Sequence, residues 1–168
     1  MEFYLLTKKF YEKYSNCKEI LKKENRPYTI CIIEINKLTF AIPIRHNINH
    51  KYSIKTFNNQ GLDFTKAVII IDKAFILKSV WANNFIQKFA KKNIYINIET
   101  ELDKIIMENK ELSTKKSLIK PKLKKFIKTY KKAIKNPDDL KNKILCEFSS
   151  LQYFHKELSI LFNENNID

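Results

Sequence analysis

Apolar and polar positions follow two different periods along the chain, and the change falls near residue 80. In the first part, the apolar run Phe3–Leu6 predicts a short strand, and apolar side chains at helical spacing predict a helix over Lys8–Leu21. Runs rich in β-branched and aromatic residues predict two paired strands, Tyr28–Ile35 and Leu38–Ile44, joined by a two-residue turn.

A proline stands near the end of the second paired strand. Pro43 has no amide hydrogen to donate, so we expect it to interrupt the ladder and release the chain. Residues 45–66 follow, with the only glycine and little apolar periodicity, and they predict a long functional loop. Ala67–Ile71 then predicts a buried strand, and Phe75–Leu77 predicts another short one.

Helical spacing dominates the second part. Over Lys122–Lys135 an apolar stripe alternates with lysines and predicts an amphipathic helix with a basic outer face. The segment Asn136–Cys146 opens with the N-cap and proline of another predicted helix, and Ser149 with Gln152 has the capping-box spacing of a last one. The two predicted stripes consist of Leu123, Phe126, Ile127, Tyr130 and Ile134, and of Leu151, Phe154, Leu158 and Phe162.

These elements predict an α+β fold in a single domain over residues 1–168, with a β-rich core at about 1–78 and a mainly helical part at about 80–162. One glycine cannot build a Rossmann or P-loop phosphate cradle. Three widely spaced cysteines without a C-x-x-C pair disfavour a disulfide framework or a zinc site. No apolar run approaches the ~18 residues of a membrane span, and we expect a reduced, cytoplasmic protein.

The charge balance favours a polyanionic partner. The chain has 32 basic and 18 acidic residues, a net charge of +14, which makes nucleic acid the first candidate. Twelve lysines and two acids fall within Lys115–Lys143, where an RNA backbone could bind, although such helix faces are also commonly just solvated. Arginine occurs only at Arg26 and Arg45, and a planar, bidentate phosphate contact is one reason to need it.

Candidate catalytic side chains follow the second paired strand directly: Arg45, His46, His50 and Lys51. RNA cleavage without a metal requires a base for the 2′-hydroxyl, an acid for the leaving oxygen and cations for the phosphoryl group. Histidine titrates in a suitable range. Only a bent loop lets both histidines reach one phosphate, and in an extended chain another residue must supply one of the roles. Asp63 either orients a histidine or caps a turn.

Further candidates have equally ordinary structural interpretations. Lys66 precedes a predicted strand and either reaches the same loop or is a solvated strand end. Tyr52, Phe57 and Phe64 either stack on exposed bases or belong to the core. His155 adjoins the last apolar stripe, which favours helix packing over a catalytic role.

Several stretches resemble one known family. They are FY (3–4), YTICIIEINKLTFAIPI (28–44), RHNINHKYSIKT (45–56), GLDFTKAVII (61–70) and FSSLQYFHKEL (148–158). Together they resemble the endoribonuclease toxins of type III toxin–antitoxin systems, most closely the TenpN branch, with ToxN and AbiQ as more distant relatives. The resemblance implies a compact, strongly bent antiparallel β-sheet core, similar to MazF and Kid, wrapped by several helices.

The resemblance also implies an activity and a partner. Such toxins cleave RNA at adenine-rich sites to 2′,3′-cyclic phosphate and 5′-hydroxyl ends, without a metal or another cofactor. A small repeat RNA antitoxin, folded as pseudoknots, inhibits them in a toxin–RNA assembly until it is lost, as in phage infection. The expected substrate is cellular or phage RNA, and no membrane partner is expected.

At the expected site the sequence differs from that of the family it resembles. ToxN-like toxins have a Thr-Ser pair and a following lysine after the hairpin proline, where this chain has the segment 45–48, RHNI. The position of the site carries over, and the predicted catalytic residues are Arg45, His46, His50 and Lys66. Ser53 and Thr56 are weaker hydroxyl candidates for the site. The predicted RNA-binding residues are Arg26, Lys51, Tyr52, Lys55, Thr56, Lys122 and Lys125.

Two other functions are compatible with the composition. A non-catalytic basic nucleic-acid-binding protein explains the net charge without using the histidines. A basic protein bound to an anionic membrane surface is the weaker alternative, because the basic helix carries its apolar residues in an ordinary packing pattern.

Overall fold

The computed structural model describes residues 3–20, 30–56, 59–78 and 114–163, and within them the fold is α+β. Seven strands in these ranges form an antiparallel sheet, and four α-helices accompany it. The strands are β1 (Phe3–Leu6), β2 (Ile30–Ile35), β3 (Leu38–His46), β4 (Ser53–Lys55), β5 (Gln60–Asp63), β6 (Val68–Ile70) and β7 (Ile76–Lys78). The helices are α1 (Lys8–Lys13), α2 (Lys116–Lys135), α3 (Leu140–Phe148) and α4 (His155–Asn163).

Strand β3 organises the sheet. The order is β4-β5-β3-β2-β1-β7, with β6 also paired to β3, and every pairing is antiparallel. The described strands do not close into a barrel. The predicted α+β class with an antiparallel sheet is therefore confirmed, whereas the closer likeness to MazF and Kid stays a prediction.

The predicted hairpin between β2 and β3 is confirmed. Asn36 and Lys37 have φ angles of 46° and 65°, the left-handed values that a two-residue type I′ turn requires. Ile35 pairs with Leu38 directly across the turn. This turn fixes the register of β3, and so decides which way each of its side chains and amides faces.

The predicted release of the chain at Pro43 is wrong, because β3 continues through the proline to His46. After a two-residue turn, hydrogen-bonded pairs recur at every second residue, so the Pro43 nitrogen faces away from β2. On that side β6 pairs with residues 39–41 and β5 with residues 44–46, so the proline lies between the two ladders. The predicted loop over residues 45–66 is also wrong, since it contains the end of β3, all of β4 and β5, and a 3-10 turn.

Two helix boundaries differ from the prediction. Helix α1 ends at Lys13 and not at residue 21: Tyr14 leaves the helical conformation, and the turn that follows contains Ser15 and Asn16, which are poor helix formers. Helix α2 begins at Lys116, earlier than expected.

The cap predicted for α3 is wrong, whereas the cap predicted at Ser149 is confirmed, but on a 3-10 turn that precedes α4 and without its capping box. Helix α3 begins three residues later than its Asn136 cap implied, because the Asp139 carboxylate accepts hydrogen bonds from two first-turn amides. Ser149 caps a 3-10 turn over residues 150–154, where its hydroxyl accepts from the amide of Leu151. Gln152 instead donates to a carbonyl in α3, so no capping box forms.

The sheet and the helices share one hydrophobic cluster. The predicted stripe of α2 is buried, except for Ile134, which is half-buried. The predicted stripe of the last helix is likewise buried except for Phe162. Burying a large apolar side chain contributes roughly 1.5–3 kcal/mol, so this shared cluster fixes the helices against the sheet. None of the helices that the structure describes combines the length and apolarity needed to cross a membrane.

Candidate active site

The candidate site forms where three extra residues interrupt the pairing along β3. Ala41 pairs with Val68, and Arg45 pairs with Gly61. The four-residue advance from Ala41 to Arg45 on β3 is therefore matched by seven residues, from Val68 back to Gly61, on the opposite segment. The extra length forms the 3-10 turn Phe64–Lys66. This turn lies opposite Pro43 of β3. Because Pro43 has no amide hydrogen to donate, a paired strand at this position would lack that hydrogen bond.

Asp63 is the centre of the site. Its Oδ1 accepts hydrogen bonds from the amide of Thr65 at 3.0 Å and from the Thr65 hydroxyl at 2.6 Å. Its Oδ2 accepts from Arg45 Nη1 at 3.0 Å, and His50 Nε2 lies 3.3 Å from Oδ1. The Asp63 side chain is only 2% exposed. The carboxylate therefore caps the turn, and it also lies within contact distance of a histidine, so its position is compatible with both roles that the sequence left open.

Strand alternation separates the two predicted histidines. Arg45 and His46 are neighbours on β3, so their side chains lie on opposite faces of the sheet. Arg45 shares a face with Asp63, whereas the His46 ring lies 3.3 Å from Gln60 Nε2 on the other face. The structure thus brings Arg45 and His50 to one carboxylate but does not bring His46 there.

A tight turn after β3 returns His50 to the site. Asn47 has a φ of 55°, which turns the chain sharply, and the buried Ile48 anchors it through a hydrogen bond from its amide to the Asn59 carbonyl at 3.2 Å. The hydroxyl of Ser53 donates to the His50 carbonyl at 2.6 Å. Ser53 therefore positions the histidine backbone.

Lys66 joins the site from the end of the 3-10 turn. Its Nζ donates to the carbonyl oxygen of Phe148 at 2.7 Å and lies 5.9 Å from the centre of the Phe148 ring. Burial lowers the pKa of Lys66 from 10.5; the charge of Asp63 opposes this shift, and the positive charge of Arg45 adds to it. Lys66 is therefore a half-buried cation that is bound to the Phe148 carbonyl and lies near Asp63 and Arg45. This arrangement does not fit the alternative of a solvated strand end.

A small pocket opens beside these cations. Arg45 and Lys66 line it together with Glu19 and Pro43, and the remaining lining is apolar. Glu19 was not predicted as a site residue, because the sequence around it shows only helical periodicity and no motif.

Two of the aromatic candidates for base stacking are packed inside the fold. The Tyr52 ring is half-buried, with its centre 5.2 Å from that of Phe126. Phe64 is buried and also contacts Phe126, at 6.4 Å. Phe64 is thus a core residue, the second of the two interpretations that the sequence left open, and its buried ring is not exposed to stack on bases. Lys51 is exposed, with its Nζ 5.0 Å from the centre of the Tyr52 ring.

The other predicted RNA contacts are distributed along β4 and α2. Lys55 is exposed and donates to Asn49 Oδ1 at 3.0 Å. The Thr56 hydroxyl oxygen is buried and has no hydrogen-bond partner among the described residues. Lys122 and Lys125 lie on the exposed face of α2. Arg26 and Phe57 lie outside the described residues.

Several titratable side chains away from Asp63 lie inside the fold. The Tyr130 hydroxyl lies 2.7 Å from His155 Nε2, which joins α2 to α4 as the helix-packing interpretation predicted. Cys17 and Cys31 are buried, and burial raises the pKa of Cys17 to about 12. No three His, Cys, Asp or Glu side chains within the described ranges lie close enough to hold a metal ion together.

The chain matches no protein-family model, and comparisons with curated proteins and with solved structures give no match either. The function is therefore inferred from the residues and from their geometry.

Proposed function

We propose that this protein is a metal-independent endoribonuclease, the toxin of a type III toxin–antitoxin system. In this proposal it cleaves RNA at adenine-rich sites to 2′,3′-cyclic phosphate and 5′-hydroxyl ends, and a repeat RNA antitoxin inhibits it. The observation that carries the proposal is one buried carboxylate, Asp63, that holds Arg45 on one oxygen and His50 on the other. The family resemblance of the sequence supports the toxin assignment.

The arrangement matches the requirements of phosphodiester transesterification. His50 is 36% exposed on its side chain, so its ring is accessible, and its Nε2 lies 3.3 Å from Asp63 Oδ1. An oriented imidazole can take the proton of the 2′-hydroxyl or give a proton to the leaving 5′ oxygen. Arg45 and Lys66 supply positive charge for the phosphoryl oxygens as negative charge develops on them. His46 lies on the other face of β3, beside Gln60, so in this proposal it does not take part in the reaction.

The two histidines offer a matched test. Purified protein is incubated with an adenine-rich RNA in excess EDTA, and the ends of the products are identified. We expect cleavage to 2′,3′-cyclic phosphate ends, a loss of at least about a hundredfold in rate for His50→Ala, and nearly unchanged cleavage for His46→Ala. Cleavage that stops on chelation would refute the metal-independent mechanism. A defect in His46→Ala without one in His50→Ala would refute the residue assignment.

Helix α2 is the proposed surface for the RNA backbone. Nine of its twenty residues are lysines and none is acidic, and its apolar side faces the core. Lys122 and Lys125 are exposed on this helix, whose own sequence has no acidic residue. Because each phosphate contact contributes about 0.7–0.9 to the salt dependence of binding, replacing both lysines by alanine should reduce that slope by about 1.5.

A second candidate function, a non-catalytic nucleic-acid-binding protein, is favoured by the same basic helix. It requires no histidine chemistry, and its affinity should fall with salt in the same way. The cleavage assay separates the two functions. RNA that stays intact but is retained by the protein in a salt-dependent manner would favour the binding protein over the nuclease.

A further inference from the structure

The outer face of helix α3 carries apolar side chains that the core does not use. Leu140, Ile144 and Phe148 follow one another at four-residue spacing, so they lie on one side of the helix, and all three are exposed. Phe148 is 62% exposed, and it is the one aromatic ring among the large apolar side chains that the described residues leave exposed. A stripe of exposed apolar side chains, unlike a single one, indicates a binding surface.

Phe148 lies at the end of this stripe that meets the candidate active site. Lys66 Nζ donates a hydrogen bond to its carbonyl oxygen at 2.7 Å and lies 5.9 Å from the centre of its ring. Phe148 is the last residue of α3, where carbonyl oxygens lack a partner within the helix and the helix dipole favours a cation. One residue therefore binds the lysine through its backbone and presents an aromatic ring beside it.

The backbone that carries this ring is fixed on both sides. The amide of Ser149 donates to the Leu145 carbonyl at 3.1 Å, and Ser149 itself is fully buried. Gln152 Nε2 donates to the Glu147 carbonyl at 2.7 Å, which ties the following turn to the end of α3. A partner that binds here therefore spends little free energy on ordering the protein backbone.

The charges beside the ring favour an anionic partner. Arg45 and Lys66 line one pocket, and the positive charge of Arg45 acts on Lys66. An ammonium group has three donors and the Phe148 carbonyl accepts one of them, so the same group can also contact a phosphate oxygen. Proteins bind single-stranded nucleic acid with this combination of cations for the backbone and an aromatic ring for a base. An apolar protein partner fits less well, because it would cover the Lys66 charge without pairing it.

We infer that Phe148 is the platform on which a nucleobase next to the scissile phosphate stacks. The inference rests on the proposed endoribonuclease function and assigns a substrate contact to the same site. A base can stack on a protein ring only when it is unpaired and separated from its neighbours, so the substrate is single-stranded at this position. A purine has the larger stacking surface, and the platform therefore favours a purine there.

Binding measurements with an altered RNA test this inference. The probe is a single-stranded, adenine-rich RNA with a 2′-O-methyl group at the mapped cleavage site, which removes the nucleophile, together with copies that lack one base on the 5′ or the 3′ side of that site. Wild-type protein should lose about tenfold in affinity for one of these copies, a typical size for one base stacked on an aromatic ring. Phe148→Leu should bind the intact RNA about tenfold more weakly and should not respond to the missing base.

Two further variants separate stacking from apolar surface in general. Ile144→Ala is the matched control, because it removes exposed apolar surface one turn away on the same side of α3. It should keep the wild-type affinity for the intact RNA and the wild-type response to the missing base. Phe148→Trp keeps a flat aromatic ring and should also retain that response. Circular dichroism checks the fold of each variant.

Three results would overturn the inference. If folded Phe148→Leu binds the intact RNA like the wild type, or responds to the missing base as the wild type does, the ring does not stack on a base, although cleavage by the wild type still supports the endoribonuclease proposal. If both α3 variants keep the wild-type response and instead change self-association in sedimentation, the stripe is a protein interface. A wild-type protein that leaves adenine-rich RNA intact refutes the proposed function, and with it this inference.

Discussion

Replacing Asp63 by asparagine tests the centre of the site without depending on any proposed reaction. The amide has nearly the same size, but it has one acceptor oxygen and no charge. If that oxygen keeps the bonds from Thr65, the amide nitrogen must face Arg45, and two donors then oppose each other. The variant therefore loses the ion pair with Arg45 and the charge that faces His50.

The magnitude follows from burial. A hydrogen bond to a charged group contributes about 1.5–3 kcal/mol to stability. Removing one partner of a fully buried pair costs more, but the Arg45 side chain is 29% exposed and water offsets part of the loss. We expect Asp63→Asn to lower the free energy of unfolding by about 2–3 kcal/mol.

Urea denaturation of the wild type and the variant measures this change. A cycle with Arg45→Gln and the double variant isolates the interaction between the two side chains, which should account for most of the loss. Thr65→Val serves as a control that removes only the hydroxyl bond to Asp63. A loss below about 0.5 kcal/mol for Asp63→Asn, or a coupling near zero, would refute the view that this carboxylate holds the site together.

Three further predictions concern stability. A methyl group at Gly61 would lie 2.5 Å from the Ile54 carbonyl oxygen. Gly61→Ala should therefore lower the free energy of unfolding by about 2–3 kcal/mol and disturb the pairing of β4 with β5. An unchanged thermal midpoint of unfolding would contradict this prediction. Burial raises the pKa of Cys17 from 9.0 to about 12, so the unfolded chain loses this proton first and stability should fall as pH rises above 9.0, by up to about 1.4 kcal/mol per pH unit. Cys17→Ala should flatten that fall in alkaline denaturation curves, and an equally steep curve would count against it. Tyr130→Phe removes the contact with His155 and should cost about 1 kcal/mol in urea denaturation without changing RNA cleavage.

The parts of the fold that local sequence specifies could be predicted. The hairpin at Asn36 and Lys37 depends on neighbouring residues, because both must adopt left-handed φ values and the flanking runs favour strands. The buried stripe of α2 follows from spacing alone. Strands β4 and β5 could not be predicted, because they are three and four residues long and exist through pairing with each other and with β3.

The candidate site was predicted in part for the same reason. Proximity in sequence suggested that Arg45, His46 and His50 act together, but the strand continues to His46, and alternation then directs adjacent side chains to opposite faces. Asp63 was noticed without a definite role, since its partners lie up to 18 residues away. Glu19 could not be found from the sequence, because only the folded pocket places it beside Lys66.

The proline in β3 has a consequence for how the molecule opens. The hydrogen bonds on the two sides of Pro43 do not form one continuous ladder, so an opening of the outer ribbon of β4 and β5 would leave the hairpin of β2 and β3 with all of its bonds. Detachment would carry Asp63 away from Arg45 and dismantle the site in one movement. If such an opening costs less than unfolding of the whole domain, its free energy sets the fraction of molecules with an assembled site.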